Sequence, residues 1–387
     1  MFDNKLVKCF RTLKTPFFYY DLELLERTIR NIADAGFSRG YRVHYALKAN
    51  NNPKILHRLR EAGFGADCVS GGEIGRALEA GFAPGQIAFA GVGKSDEEIE
   101  VGLKHEIFSF NCESAEEIEV LDQMASQRGK VARVALRINP NVKANTHKYI
   151  TTGLNENKFG ILSEDLPGLL DRIDSFKGIR LTGMHFHIGS QILDLNAYRT
   201  LCERINELQS LFSDRELNIR HINVGGGLGI DYSAPDRNGV PDFKSYFSTF
   251  ETHLKLRKGQ EVHFELGRSV VGQCGSLITK VLFTKQGRAT RFAIVDAGMT
   301  ELIRPALYEA QHSIDALTSN REYQTYDVVG PICETSDTFR RNIPLPEVRR
   351  GDLLAIRSCG AYGQVMSSDY NLRERAAAYY SDEFKAE

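Results

Sequence analysis

Between Leu22 and Glu265 the sequence switches back and forth between two hydrophobic periods, and this alternation limits the fold more than any other feature of the chain. Short apolar, strand-like runs occur at Val43–Leu47, Gly65–Val69, Ile87–Ala90, Ile107–Phe110, Val131–Ile138, Leu181–His187, Ile219–Val224 and Glu261–Glu265. Amphipathic helical stretches accompany them: Leu22–Ala35 behind Asp21 as N-cap, Pro53–Glu61, Gly72–Ala80, Ser95–Leu103, Ser114–Gln127, Leu166–Ile173, Leu195–Phe212 and Phe243–Leu256. Ser95 and Ser114 are each followed three residues on by a glutamate, Glu98 and Glu117, as a capping box requires. Roughly eight β-then-α units make a closed parallel barrel. An open doubly wound sheet is the competitor, but it places its phosphate glycines after the first strand. Here Gly225-Gly-Gly-Leu-Gly229 follows the seventh.

Beyond Gly272 the helical period fades. Ser276–Phe283, Phe292–Val295, Tyr326–Val329 and Leu353–Ile356 are β-rich runs separated by turn residues. The expected organisation is a (β/α)8 barrel over residues 22–272 and a mostly β domain over 273–387, joined by the β-prone run Thr15–Tyr20 within the N-terminal segment 1–21. A chain of 387 residues is long enough for both. A formal net charge of -1 gives no electrostatic footprint for nucleic acid or an anionic membrane. No apolar run approaches a bilayer span, and the first residues lack the apolar core of a secretory signal. Seven cysteines lie scattered without Cys-x-x-Cys or Cys/His metal spacing, which is the pattern of a reduced, cytoplasmic chain without structural zinc.

Many of the strand-like runs end in a residue suited to chemistry: Lys48, Asp67, Asn111, Arg137, His187, the glycines and Glu265. In barrels the C-terminal strand ends build the active site. A single lysine at a strand end is ordinarily just a surface residue. Lys48, approached by an apolar run and followed by Ala49-Asn50, is placed for a confined site, where an amine pKa falls from its reference of about 10.4 and a Schiff base with a carbonyl cofactor becomes accessible. The Gly225–Gly227 backbone suits either a tight turn or the cradling of a phosphate. By period two, His185 and His187 share the barrel interior, as satisfied core histidines, a metal pair lacking a third ligand, or an imidazole stacked on a flat cofactor. Glu265 needs a partner if buried: Arg268 or a protonated ring nitrogen. Cys333-Glu334 lies in a Gly-Pro turn that faces a cleft, and Arg304, Tyr308 and Tyr362 are weaker candidates, arginine being suited to a planar carboxylate.

Taken in order, these segments resemble the fold-type III pyridoxal-phosphate decarboxylases of the ornithine/diaminopimelate/arginine decarboxylase group. The resemblance runs nearly end to end through Tyr45-Ala-Leu-Lys-Ala-Asn50, Val69-Ser-Gly-Gly-Glu73, His185-Phe-His-Ile-Gly-Ser-Gln191, Gly225-Gly-Gly-Leu-Gly229, Glu265-Leu-Gly-Arg268, Asp296-Ala-Gly-Met299, Arg304-Pro-Ala-Leu-Tyr308, Gly330-Pro-Ile-Cys-Glu334 and Gly360-Ala-Tyr-Gly363. The segment His147–Gly160 is similar to the loop that follows the fifth strand in that family. One departure is Leu266, where most relatives carry proline; it bears on turn rigidity rather than chemistry.

The resemblance implies an alanine racemase-like architecture and pyridoxal 5'-phosphate as cofactor. It makes Lys48 the Schiff-base lysine, His187 the residue stacked on the ring, and Glu265 the partner of the pyridine nitrogen. It gives the phosphate to Ser190, Gly225, Gly226, Gly227 and Tyr362, with Gly267 and Arg268 beside the cofactor. Arg268, Arg304, Tyr308 and Tyr362 fall to the substrate carboxylate, Glu334 to a distal amino group, and Cys333 to proton donation after CO2 leaves. Cys333 and Glu334 reach into the partner's site in relatives, so a homodimer with shared active sites is implied. The implied reaction takes meso-diaminopimelate to L-lysine, the last step of bacterial lysine synthesis. A racemase sets a weaker partner, arginine, against the ring nitrogen, and Glu265 disfavours it. Decarboxylases of ornithine, arginine or carboxynorspermidine are nearer rivals, disfavoured by Cys-Glu and Arg304. A non-catalytic binding relative would have lost Lys48, Cys333 or Glu265.

Overall fold

A computed structural model describes residues 2–142 and 158–384; the expected family loop at His147–Gly160 therefore lies outside the described residues up to Asn157. The chain divides into two compact units, one of residues 29–229 and 242–267, the other of residues 1–28, 230–241 and 268–387.

The first unit is the closed barrel. Parallel pairing runs through Ser109–Cys112, Ile87–Phe89, Gly65–Cys68, Arg42–Ala46, Glu261–Leu266, His221–Asn223, Ile179–His185 and Ala132–Asn139, and returns to Ser109–Cys112. The two-residue strand Ile161–Leu162 pairs parallel with the last two residues of Ala132–Asn139. Closure settles the choice between barrel and open sheet. The strands are short and buried almost throughout, so they read as continuous apolar runs rather than as alternation.

Helix starts follow the capping chemistry. Ser95 accepts from the Glu98 amide and Glu98 accepts from the Ser95 amide, a complete capping box. Ser114 accepts from the Glu117 amide, but the Glu117 carboxylate turns to the Glu113 amide and to Lys94 Nζ, so this expected box is only half formed. Ser70 caps the helix Gly71–Glu79, and Glu73 accepts from the Val69 amide at 2.8 Å, which is the structural content of the Val69–Glu73 motif. On the helix Phe243–His253, Phe247 and Phe250 pack edge-on against Phe264 of the Glu261–Leu266 strand, at 4.9 and 5.0 Å between centroids. Each such ring removed from water stabilises the fold by about 1.5–3 kcal/mol.

The second unit is built on an eight-stranded sheet in which Gly275–Gln286 is central. Phe17–Tyr20 pairs antiparallel with it, from Phe17 opposite Ile278 to Tyr20 opposite Gly275, and parallel with Ala377–Tyr380 on the other side. Leu353–Ile356 and Arg291–Val295 are its other neighbours. A seven-residue helix, Asn4–Phe10, capped by Asp3, places Phe10 against Phe17, Tyr19, Ile278 and Leu353. Short helices also occur at Arg268–Val271, at the end of the expected barrel, and at Arg304–Tyr308, within the stretch expected to be mostly β. Among the described residues no helix is long and apolar enough to cross a membrane.

Candidate active site

Within the barrel unit, the strand Arg42–Ala46 runs into a single turn, Leu47–Ala49, whose flanking residues Leu47 and Ala49 are fully buried. The turn leaves the Lys48 side chain 39% exposed, with Nζ 3.7 Å from Asp67 Oδ2. Asp67 lies one residue before the end of the neighbouring strand, opposite Ala46, and its side chain is wholly buried. Burial, reinforced by the Glu265 charge, pushes its carboxyl up to about 8 against the pull of Lys48. Neither Asp67 oxygen has a hydrogen-bond partner among the described residues. A buried, unsatisfied carboxyl beside an amine is a place prepared for a further polar group.

Glu265 is the electrostatic centre of the barrel. Its Oε1 accepts from Asn111 Nδ2 at 3.1 Å and from Asn223 Nδ2 at 2.7 Å, and its Oε2 lies 3.0 Å from His185 Nε2. Both amides are oriented by a second bond, Ser109 Oγ to Asn111 Oδ1 and the Gly225 amide to Asn223 Oδ1, so each turns its NH2 to the carboxylate. Burial alone would raise this carboxyl, but His185 and Lys48 outweigh it and hold it well below the usual carboxylate range. An ionised carboxylate offers about four acceptor positions. Three are filled, which leaves one on Oε2.

The strand ends at His185, so period two does not carry His187 to its place; the loop beyond the strand does. Its Nδ1 accepts from the Gly226 amide at 3.3 Å, which puts the ring proton on Nε2. Burial, then the charges of Lys48 and Arg137, hold this imidazole well below its ordinary pKa, hence neutral. Gly225 has φ +72°, and a Cβ there would lie 2.2 Å from Phe186 O; at Gly226 a Cβ would lie 1.9 Å from Glu265 O. Only glycine fits this approach of backbone to backbone. Ser190 is half-buried in the loop after His187. Gly267 packs on the lysine turn, its Cβ position 3.0 Å from Ala49 Cβ. Leu266, fully buried opposite Tyr45, ends the strand regularly. Arg137, at the end of Ala132–Asn139, pairs with Glu113 at 2.6 Å. Among the described residues no three His, Cys, Asp or Glu side chains gather as a metal site.

This set fits pyridoxal phosphate: an amine at a strand end, a neutral imidazole, a backbone cradle too tight for any Cβ, orphaned Asp67 oxygens, and an ionised carboxylate with one acceptor position to spare.

Within the second unit, Arg268 and Arg304 are both buried and share Tyr232. Arg268 Nη1 accepts no proton but donates to Tyr232 Oη at 2.5 Å, and its guanidinium lies 4.8 Å over the Tyr362 ring. The Arg304 guanidinium lies 4.6 Å over the Tyr232 ring, and Nη1 donates to His312 Nε2 at 2.7 Å. His312 Nδ1 donates to Arg357 O, so Nε2 is the bare nitrogen. Burial and the adjacent Arg304 charge push this imidazole down to about 3. Arg304 is thus a buried cation held by a neutral acceptor, with no ion pair among the described residues, which keeps its charge for an anion. Tyr308 is half-buried on the same short helix. The Gly330–Asp337 loop is drawn together by Asp337, which accepts from the amides of Ile332 and Met299, and it presents Cys333 and Glu334 on the surface. Glu334 Oε1 accepts from Tyr370 Oη at 2.9 Å.

Tyr232, His312, Asn223 and Tyr370 carry no local signal of their role; each acts by holding a residue that does. Asn111 and His185 stood at or near strand ends, but their common attachment to Glu265 appears only once the barrel closes.

Residues 22–272 match the family model described as the pyridoxal binding domain of pyridoxal-dependent decarboxylases. The chain is 57% identical over 375 residues to a diaminopimelate decarboxylase of Bacteroides thetaiotaomicron, covering 97% of each chain. It is 42% identical over 368 residues to one of Helicobacter pylori, covering 95% of this chain and 90% of that one. A crystal structure of diaminopimelate decarboxylase from Helicobacter pylori complexed with L-lysine superposes with a TM-score of 0.92 at 40% identity, over 97% of this chain and 94% of the other.

Proposed function

The chain belongs to the diaminopimelate decarboxylases within the pyridoxal-dependent decarboxylase family, and on that premise we propose how its residues divide the work. It is a pyridoxal-phosphate-dependent carboxy-lyase that converts meso-diaminopimelate to L-lysine and CO2. The observation that carries the assignment of residues is the pairing, on one barrel, of a strand-end lysine with a glutamate held ionised in full burial.

Bound pyridoxal phosphate supplies an electron-poor ring that takes up the electron pair left at Cα when CO2 departs. Lys48 Nζ is the amine that would hold the cofactor through its aldehyde. Glu265 Oε2, through its remaining acceptor position, would hold a proton on the ring nitrogen of bound cofactor; the ionised state set by His185 and the two asparagines suits it to that task. Neutral His187 would stack on the ring of bound cofactor, and Ser190, Gly225, Gly226, Gly227 and Tyr362 would hold its phosphate, with Gly267 and Arg268 beside it. Arg268, Arg304, Tyr308 and Tyr362 bind the substrate carboxylate, and Glu334 binds the distal ammonium. Cys333 Sγ–H delivers a proton to Cα.

The working form is a cytoplasmic homodimer. Cys333 is exposed while the other six cysteines are buried or half-buried, and all seven are free. A proton donor left in bulk water competes with it, so an exposed Cys333 becomes effective when a second subunit covers it. Cys333→Ala is expected to load cofactor normally and to lose roughly 10²–10⁴-fold in kcat. Mixed and reassociated with an equal amount of Lys48→Ala, it should recover about a quarter of the wild-type rate, because half the dimers then hold one intact site. Wild-type turnover by Cys333→Ala alone removes the proton-donor role. Absence of any recovery on mixing, with heterodimers verified by mass, removes the shared site.

Substrate choice is checked by CO2 release from purified holoenzyme offered meso-diaminopimelate, ornithine, arginine, lysine and carboxynorspermidine in parallel. Preference for meso-diaminopimelate, with lysine formed, is expected; preference for another of the five would reassign Arg304 and Glu334 while leaving Lys48 and Glu265 in place.

A further inference from the structure

At the N-terminal ends of the barrel strands, away from Lys48, a cavity of about 620 Å³ opens between Tyr41, Arg42, His44, Phe108, Glu261 and His263. Gly40, Gly63 and Gly85 rim it, and a Cβ on any of these would meet nothing within 4 Å, so the mouth is open because side chains are missing there. Its floor is flat. Phe108 and His263 stack at 4.9 Å with 10° between planes, and His44 stacks on His263 at 5.1 Å.

The proton positions on this floor follow from a carbonyl. Gln86 O accepts only, so His44 Nδ1, 3.1 Å away, carries hydrogen. Burial keeps both imidazoles neutral, which leaves His44 Nε2 bare and makes His263 Nδ1, at 2.8 Å, the donor to it. His263 Nε2 is then a lone pair, buried and without a hydrogen-bond partner. The nearest charged atom is Glu261 Oε2 at 3.6 Å, a second acceptor. Two acceptors facing each other across 3.6 Å call for a group with several donors between them. Arg42 Nε stands 3.8 Å from the same Glu261 oxygen, too far for a hydrogen bond, and its side chain is 65% exposed.

We propose that this N-terminal cavity is a second ligand site, built for a free α-amino acid whose ammonium bridges His263 Nε2 and Glu261 while its carboxylate pairs with Arg42. An ammonium has three donors and serves both acceptors at once; a guanidinium at the same mouth matches a carboxylate. The stacked rings give the side chain an apolar bed. The site is separate from the catalytic one and takes the same chemical class of compound as the reaction releases.

The test is equilibrium dialysis of the holoenzyme with radiolabelled L-lysine, comparing wild type with Glu261→Gln and Arg42→Gln. Both variants change half-exposed side chains, so folding is retained. Wild type is expected to bind one lysine per subunit more than either variant does at the same concentration, the second site weakening by about tenfold or more in each. The choice of lysine as probe rests on the reaction assigned above, but the difference between wild type and variants does not: if lysine fails to occupy the catalytic site, the totals become one and none, and the difference stands. Equal stoichiometry and affinity in all three proteins overturns the site. Binding of cadaverine at this cavity as tightly as lysine overturns the amino-acid class, since a diamine leaves Arg42 without its partner.

Discussion

Lys48→Ala should lose at least roughly 10⁴-fold in kcat while folding as the wild type does, because it removes the amine that both holds the cofactor and returns to release product. The structural price is small. The side chain is 39% exposed and packs into no core, so stability should change by less than about 1 kcal/mol. Lys48 Nζ lies 3.7 Å from Asp67, whose carboxyl, already at about 8, loses a charge that lowers it and becomes still harder to ionise. The sign for stability follows. A carboxyl whose folded pKa is raised contributes most below the unfolded value and loses that contribution as pH rises toward the folded one, so the Asp67 contribution declines between about 4 and 8 in wild type. In Lys48→Ala the decline extends to higher pH, and the variant should therefore be relatively less stable under alkaline conditions. Lys48→Arg separates the two roles of the residue: it keeps a cation beside Asp67 but has no amine to condense with an aldehyde, so it should be as inactive as the alanine variant. The visible absorbance of lysine-bound cofactor should be absent from both. A variant that still fixes cofactor to the protein on borohydride reduction would show that another lysine holds it.

The closed barrel was legible because its signal is repetitive. Several strand-like runs met a helix signal at their far end, Pro53, Ser95 or Ser114, and the late glycine cluster argued against the open sheet. What escaped were elements whose stability is almost wholly tertiary. The helix Asn4–Phe10 has seven residues and would not persist alone; it forms because Phe10 is buried among Phe17, Tyr19 and Phe384. The strand Ala377–Tyr380 follows the charged run Arg373-Glu-Arg375 and pairs with Phe17–Tyr20 from the other end of the chain, a partnership that no local pattern encodes. The active-site lysine and glutamate stood out as polar residues at strand ends. The attachment of Asn111, His185 and Asn223 to Glu265 did not, since they lie 154, 80 and 42 residues away from it in sequence. Barrel closure is what brings them to one carboxylate, so their role follows from topology rather than from any motif.

Glu265→Gln tests that carboxylate directly. The substitution keeps the shape and one oxygen, so Asn111 and Asn223 retain an acceptor, and only the contact with His185 Nε2 is altered, an amide nitrogen replacing Oε2 at 3.0 Å. The stability loss should stay within about 1–3 kcal/mol, the range for one altered buried hydrogen bond. The chemistry should suffer far more. A neutral amide cannot hold a proton on a ring nitrogen, and the electron sink weakens by that charge; a fall of roughly 10²–10³-fold in kcat is expected, the size seen when one preorganised electrostatic partner is removed. Cofactor should still attach through Lys48, whose amine is untouched, so loading and turnover separate in this variant where they fail together in Lys48→Ala. A second consequence reaches Asp67. Glu265 is the charge that, after burial, most raises the Asp67 carboxyl to about 8. Without it Asp67 should ionise at lower pH and pair more firmly with Lys48, moving the pH dependence of cofactor attachment toward acid. Glu265→Asp restores the charge but withdraws it by one methylene from Asn111, Asn223 and His185, so it should recover activity only in part. If Glu265→Gln turns over within threefold of wild type, the ionised carboxylate is not the partner of the ring nitrogen, and the asparagine and histidine scaffold around it serves the barrel core alone.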